Sequence, residues 1–218
     1  MSYVYMKSLE NKAEKYDSGI SFLTLGKLPK IKQYIVDNYC NEGESLLDIG
    51  MGTGTFAIKC AKKGVKVIGI DISEKMLNVA RKNIEFEGLD EFIKVKHIPV
   101  VDLDESFSDN YFDKVTALLS FSEFYKKEQD YALKHIHRIL KDDGEFILVD
   151  EVKPKKTLKR IIYFIVRVPL AFITFLKSRL TTKPLKDFEE RAKKYKFEII
   201  DKHYYLLDTL VLIRFKKK

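Results

Sequence analysis

The chain has few of the residues that stabilise small secreted proteins or bind metals. It contains two cysteines, Cys40 and Cys60, whose separation matches neither a disulfide framework nor a metal site. No cluster of histidine, cysteine and acidic residues predicts a metal ion. The first seven residues lack the apolar stretch of a secretory signal peptide. We therefore expect a cytoplasmic, reducing location and no metal.

The chain also lacks internal repeats and any linker that would divide it. Its 218 residues, 45% of them apolar, are enough for one α/β domain with a full core. We expect a single domain over residues 1–218.

Acidic residues are absent from one segment, residues 152–183. The segment holds nine basic residues: Lys153, Lys155, Lys156, Lys159, Arg160, Arg167, Lys177, Arg179 and Lys183. The rest of the chain is almost balanced, with 31 basic and 32 acidic residues. The net charge of +8 therefore describes a neutral domain that carries one basic insert.

The most informative pattern is a glycine-rich turn between two apolar strands. Residues 46–54 read Leu-Leu-Asp-Ile-Gly-Met-Gly-Thr-Gly, and a second apolar strand over 65–70 ends on Asp71. This order predicts a βαβ unit with a glycine-rich first turn. Glycines let the backbone approach a ligand where a Cβ would collide, and the strand-end acid can accept hydrogen bonds from ribose hydroxyls. The pattern predicts an adenosine-containing cofactor.

Two cofactor classes fit this turn. The dinucleotide fingerprint G-x-G-x-x-G fails from Gly50, where Thr55 ends it, but is allowed from Gly52, where Ala57 ends it. A nicotinamide-dependent oxidoreductase therefore stays open. However, Asp48 and the glycines form D-x-G-x-G-x-G, which resembles motif I of the class I S-adenosylmethionine-dependent methyltransferases. This cofactor has no pyrophosphate, and its ammonium and sulfonium favour a nearby carboxylate.

The resemblance continues along the chain, over about residues 16–151. Further segments resemble the family's second motif, the approach to strand four and the helix and turn before strand five: residues 71–77, 106–115 and 133–144. They are most similar to the small-molecule subgroup that includes quinone-biosynthesis methyltransferases. The N-terminal segments, residues 1–7 and 16–20, faintly resemble methyltransferases associated with corrinoid proteins.

Hydrophobic periodicity agrees with this resemblance. The expected helices cover residues 29–39, 53–63, 73–88, 127–140 and 184–195. The expected strands cover residues 45–49, 65–70, 92–101, 112–119, 145–151, 197–205 and 209–215. We predict an α/β, doubly wound, seven-stranded Rossmann-like methyltransferase fold with an antiparallel last strand and a helical insert after strand five.

The resemblance implies roles for the motif residues. Gly50, Gly52 and Gly54 would let the methionine and ribose parts of the cofactor approach the backbone. Asp48 would act near the methionine ammonium, although it could instead only order the turn. Asp71 would hold the ribose hydroxyls, and its alternative role is that of a helix-capping acid.

Other contacts are less specific. Met76 could pack on adenine, or it could be plain core because it shares the apolar spacing of its helix. An acid after the third strand would accept from the adenine amino group. We choose Asp102, with Asp104 and Glu105 as competitors. Tyr16 resembles an N-terminal tyrosine that closes over the methionine end, or is a lone aromatic packing on the domain.

Four residues complete the predicted cofactor contacts: Ile72, Leu103, Ser120 and Phe121. Ser120 and Phe121 follow strand four and would line the sulfonium, since an aromatic face suits a cation. No catalytic residue is assigned, because the cofactor is already activated and a nucleophilic acceptor needs no strong base.

The reaction implied is direct in-line displacement, in which an acceptor atom attacks the sulfonium methyl group. The acceptor is expected to be a small, apolar or anionic molecule. A non-catalytic S-adenosylmethionine-binding module and a nucleic-acid methyltransferase are the alternatives. The absence of Asn/Asp-Pro-Pro-Tyr/Phe after strand four argues against methylation of a base amino group.

The insert contains an apolar run over residues 161–176, interrupted by Arg167 and Thr174. The run is shorter than the about 20 residues that span a bilayer, and Arg167 and Pro169 lie in its middle. We predict a substrate lid over residues 152–183, because family members insert a cover there. A helical pair packed on the domain, and peripheral membrane contact through basic residues 153–183, stay open.

Overall fold

The structure is a computed structural model that describes residues 16–154, 157–159, 161, 163–165 and 184–218. Its helices are α1 Tyr16–Leu23, α2 Lys27–Tyr39, α3 Thr55–Ala61, α4 Glu74–Phe86, α5 Leu103–Ser106, α6 Lys126–Ile139 and α7 Phe188–Lys194. Its strands are β1 Ser45–Ile49, β2 Lys66–Asp71, β3 Ile93–His97, β4 Phe112–Leu118, β5 Leu140–Glu151, β6 Phe197–Tyr205 and β7 Leu210–Lys217.

The seven strands form one sheet in the order β3-β2-β1-β4-β5-β7-β6. Strands β1 to β5 pair in parallel, and β7 runs antiparallel to both β5 and β6. The predicted doubly wound sheet with an antiparallel last strand is confirmed. Its strand order reverses at β1, which lies between β2 and β4.

Two apolar layers cover the sheet, because successive side chains of a strand point to opposite faces. On β1, Leu46 packs in one layer with Ile35 of α2, and Leu47 packs in the other with Leu133 of α6. Central strands buried on both faces read as continuous apolar runs, which is why β1 was recognisable from sequence.

Several boundaries differ from the sequence-based expectation. Strand β3 ends at His97 rather than residue 101, and a 3₁₀ turn covers Val100–Asp102. Helix α7 begins at Phe188 rather than residue 184, because Leu185 forms an isolated parallel bridge with Val152. Strand β5 begins at Leu140 and includes the expected turn at 142–144. Helix α1 was not predicted, since the residues around Tyr16 show no clear periodicity.

The two ends of the insert lie next to each other. The bridge between Val152 and Leu185 joins its two ends beside the carboxyl end of β5. Most of the apolar run, including Arg167 and Pro169, lies outside the described residues. Within the described part of the chain, no helix has the length and hydropathy needed to cross a membrane.

The glycine-rich turn lies directly on β2. The side chain of Met51 covers Gly69, and a Cβ at Gly69 would overlap the Sδ and Cε atoms of Met51. The backbone N–H groups of Gly50 and Met51 donate to the carbonyl of Ile70 at 2.8 and 3.0 Å. Gly69 therefore lets the turn approach β2 closely.

A Gly69→Ala substitution should lower the free energy of unfolding by about 1–3 kcal/mol, the usual cost of an overpacked core. Because the overlap is with Met51, the loss should be smaller in a Met51→Ala background. Urea denaturation of the parent protein, the two single variants and the double variant measures both effects. An equal loss in both backgrounds would show that Met51 is not the cause.

Candidate functional site

A cleft opens at the carboxyl ends of the parallel strands, where the strand order reverses. Ligands of open α/β sheets bind at this switch point. The cleft contains about 420 Å³ of empty space, which includes open solvent. It is lined by Tyr16, Asp17, Ile20, Leu28, Lys32, Asp48, Gly50, Met51, Gly52, Thr53, Phe56, Leu118 and Leu119.

Gly50 serves contacts within the chain. A Cβ at Gly50 would lie 2.6 Å from the Cβ of Ser120. Ser120 is buried, and its hydroxyl donates to the carbonyl of Ile49 at 2.8 Å. The missing side chain therefore lets the segment after β4 pack against the turn. Ser120 supports the turn from behind, whereas we expected it beside the sulfonium.

The other two glycines of the motif have different surroundings. A Cβ at Gly54 would meet Ala80 of α4 at 3.3 Å, so this glycine allows helix packing. Gly52 lines the cleft, and a Cβ there would come within 3.3 Å of Met76 and 4.0 Å of Tyr16. Gly52 also has φ +57°, a conformation that side chains disfavour. Gly52 is thus the glycine best placed to meet a ligand.

The carboxylate of Asp71 connects the turn to α4. One oxygen accepts from the N–H of Gly52 at 2.9 Å, and the other accepts from the N–H of Ser73 at 2.8 Å. Each oxygen keeps room for a further hydrogen bond, so the ribose role and the capping role are compatible. Burial raises the pKa of this carboxyl, and the backbone donors oppose that shift.

Asp48 is a buried acid at the base of the cleft, with 2% of its surface exposed. Its carboxylate accepts a hydrogen bond from the hydroxyl of Thr116 at 2.7 Å. Burial raises its pKa to about 6, and the Thr116 hydrogen bond and the positive charge of Lys32 oppose that shift. The protein therefore only partly offsets the cost of burying the ionised form of Asp48, and a cation bound in the cleft would stabilise that form.

Helices α1 and α2 close one side of the cleft through polar contacts that we did not predict. The carboxylate of Asp17 accepts from the hydroxyls of Thr53 at 2.6 Å and Thr55 at 3.3 Å. The ammonium of Lys32 donates to Thr55 at 2.7 Å. A sequence signal for Lys32 exists, because it lies one helical turn after the buried Leu28 on α2.

The predicted adenine contacts lie at the ends of β2 and β3. Ile72 is 73% exposed beside Asp71, and Asp102 is also exposed. Met76 is buried, and its methyl group lies next to Gly52. It therefore belongs to the core and also contacts the turn. Leu103 is fully buried, which leaves only its backbone for a ligand.

Phe121 is placed differently from the expectation. Its ring is fully buried and packs against Phe124, Phe146 and Phe188, so it presents no face to a sulfonium. The reason is the 3₁₀ turn over Phe121–Glu123, which directs this ring into the core.

A second buried acid supports the turn after β4. Asp150, near the end of β5, accepts from the N–H groups of Ser122 at 2.8 Å and Glu151 at 2.7 Å. Burial raises its pKa to about 7. Asp150 thereby fixes the turn after β4, and sequence patterns gave no signal for it because it is embedded in an apolar strand.

The chain is similar to known methyltransferases. A family model described as "Methyltransferase domain" matches residues 46–144. A demethylmenaquinone methyltransferase of Symbiobacterium thermophilum is 31% identical over 167 residues, which cover 74% of this chain and 64% of that protein. The chain thus spans less than two thirds of the length of this relative.

Solved structures confirm the fold. An S-adenosylmethionine-dependent methyltransferase of Methanosarcina mazei is 23% identical with a TM-score of 0.67, covering 84% of this chain and 96% of that one. A [4+2]-cyclase, SpnF, is 18% identical with a TM-score of 0.67, covering 85% and 79%. Because a cyclase shares the fold, fold similarity alone does not decide the reaction.

The Asp48→Asn variant should be more stable than the parent protein above pH 6. The folded-state pKa of Asp48 is raised from 3.8 to about 6. Folded protein therefore binds the proton more tightly, and stability is lost as pH rises through this window. The asparagine avoids this loss, so its advantage should grow by up to about 3 kcal/mol between pH 4 and pH 7. Denaturation across this range measures it, and an advantage that does not vary with pH would contradict it.

Proposed function

We propose, from the premise that this chain carries a class I S-adenosylmethionine-dependent methyltransferase domain, that it transfers a methyl group to a small apolar acceptor. The observation that carries this proposal is the cleft at the switch point. The cleft is lined by the backbone of Gly52 and by the buried acid Asp48. The strand-end acid Asp71 lies next to them and accepts a hydrogen bond from the N–H of Gly52.

The cleft residues, with Asp71 and Ile72 beside them, fit the cofactor group by group. Gly52 gives backbone access without a side chain. Asp48 and Asp17 supply negative charge for the ammonium of the methionine part, and Asp71 has free acceptor capacity for ribose hydroxyls. Ile72 offers an exposed apolar surface next to Asp71 for the adenine. A dinucleotide would instead bring its pyrophosphate near two carboxylates.

The bound cofactor supplies a methyl group on a sulfonium, which is activated for attack. The chain has to hold this group, orient the acceptor and exclude water. Ser120 and Asp150 support the turns that face the acceptor side. Neither is needed as a base when the acceptor is itself nucleophilic.

The acceptor class rests on the relatives. The Symbiobacterium thermophilum relative is named for demethylmenaquinone, a quinone. We infer that the acceptor of this chain is a small molecule of similar character, a reduced quinone ring with an apolar tail. A ring carbon activated by an ionised hydroxyl would form the bond to the methyl group as the sulfonium carbon–sulfur bond breaks, and the proton on that carbon would then be lost to water.

We also propose that residues 152–183 cover the acceptor. The insert leaves and rejoins the domain beside the end of β5, next to the turn that Asp150 holds. Lys159 pairs with Asp208 at 2.8 Å, which ties the start of the insert to the turn between β6 and β7. Its described residues carry exposed apolar side chains, Leu158, Ile161, Phe164 and Ile165. These side chains suit an apolar acceptor or a membrane that contains it.

The cofactor assignment predicts that calorimetry detects binding of S-adenosylhomocysteine and none of NAD. Gly52→Val should abolish this binding, because the new side chain would occupy the ligand's space. Gly43→Val is the matched control, since Gly43 has a positive φ of +82° but lies away from the cleft with nothing near its Cβ position. Normal affinity in Gly52→Val, with a folded protein, would contradict the assignment.

If residues 152–183 cover the acceptor, replacing residues 156–180 with a short linker should leave S-adenosylhomocysteine binding unchanged. Transfer of a labelled methyl group to a reduced, prenylated naphthoquinone should be lost, because the acceptor is no longer enclosed. Full transfer by the deletion variant would reject the cover. No transfer by the intact protein would reject this acceptor class.

Membrane contact is tested separately by flotation with anionic vesicles. Basic flanks on an apolar segment predict flotation that weakens as salt increases. The deletion variant is the control and should not float. Absence of salt-sensitive flotation by the intact protein would reject the contact.

A further inference from the structure

Lys32 is a cation within the cofactor cleft. It is half-buried on α2 and lines the cleft together with Asp48 and Gly52. Its ammonium donates to the hydroxyl of Thr55 at 2.7 Å, and burial lowers its pKa. The charged form is thus held where water cannot solvate it fully, which is costly unless an anion is near.

The chain provides only partial compensation for this charge. Asp17 and Asp48 attract it, but neither carboxylate comes within the 4.0 Å of an ion pair. Within the described part of the chain, Thr55 is the one hydrogen-bond acceptor of the ammonium. Two of its three N–H donors therefore remain for a ligand.

We propose that Lys32 binds the α-carboxylate of the methionine part of S-adenosylmethionine. This inference rests on the proposed function and names one contact within it. The cleft places a cation, Lys32, beside two acids, Asp17 and Asp48. An amino-acid zwitterion presents the complementary pair, a carboxylate next to an ammonium.

Other anions fit this arrangement less well. A phosphate or pyrophosphate on Lys32 would lie close to the carboxylates of Asp17 and Asp48, and that repulsion would oppose binding. A purely structural role is the remaining alternative, since Lys32 also connects α2 to Thr55 at the start of α3. Removing such a connection would weaken every ligand alike.

Calorimetry with two ligands separates these roles. One ligand is S-adenosylhomocysteine, and the other is its analogue in which hydrogen replaces the α-carboxylate. Lys32→Met keeps the length of the side chain and removes its charge. We expect it to weaken S-adenosylhomocysteine by about 10- to 100-fold, the range for a charged hydrogen bond, and not to weaken the analogue. Lys32→Arg, which keeps the charge, should recover part of the loss.

The control is Lys59→Met. Lys59 also joins α3 to α2, through a hydrogen bond to Gln33 at 2.8 Å, but lies outside the cleft. This variant should bind both ligands like the parent protein. Equal weakening of both ligands by Lys32→Met, or of neither, would overturn the inference.

The parent protein alone gives an independent test should the Lys32 variants fail to fold. It should bind S-adenosylhomocysteine at least about tenfold more tightly than the carboxylate-free analogue. Equal affinity for the two overturns the role of Lys32 and leaves the proposed function standing. No binding of either ligand overturns the proposed function itself.

Discussion

The close packing of the glycine-rich turn on the ends of β2 and β4 is the constraint on which the site depends. Met51 covers Gly69 on one side, and Ser120 fills the space beside Gly50 on the other. These contacts fix the turn before any ligand arrives, and preorganisation of this kind reduces the ordering that binding would otherwise require. Gly52 is left facing the cleft. Within the motif, Gly50 and Gly54 allow close packing on Ser120 and Ala80, and Gly52 is the glycine that we propose contacts the cofactor.

Charge within the cleft adds selectivity to this geometry. Asp48 is buried and poorly compensated, and Lys32 in the same cleft is half-buried and has no ion pair among the described residues. Such charges destabilise the free protein, and they are tolerated at sites where a ligand neutralises them. A zwitterion with an adjacent sulfonium matches this pattern better than a pyrophosphate. The site therefore distinguishes between two cofactors that the strand–turn–strand motif alone leaves open.

The strands and the turn were predictable because continuous apolar runs and glycine spacing are local signals, and the doubly wound arrangement followed from the resemblance to methyltransferases. Residues that act through tertiary contacts were not. Phe121 follows β4 as expected, but a 3₁₀ turn rotates its ring into the core. Lys32 and Asp17 lie in helices distant in sequence from the motif, so no spacing rule connects them with Asp48. Asp150 reads as part of an apolar strand. The presence of each strand was thus predictable, whereas the direction of each side chain depended on packing.

Methyl NMR tests the central claim, that the turn at the switch point holds S-adenosylmethionine, most directly. The chain has four methionines, and two of them, Met51 and Met76, contact the turn. Their labelled methyl resonances can be assigned by replacing each with leucine. Both should shift, and the shifts should saturate together as S-adenosylhomocysteine is added, while NAD should leave them unchanged. Resonances that do not respond to S-adenosylhomocysteine would contradict the account.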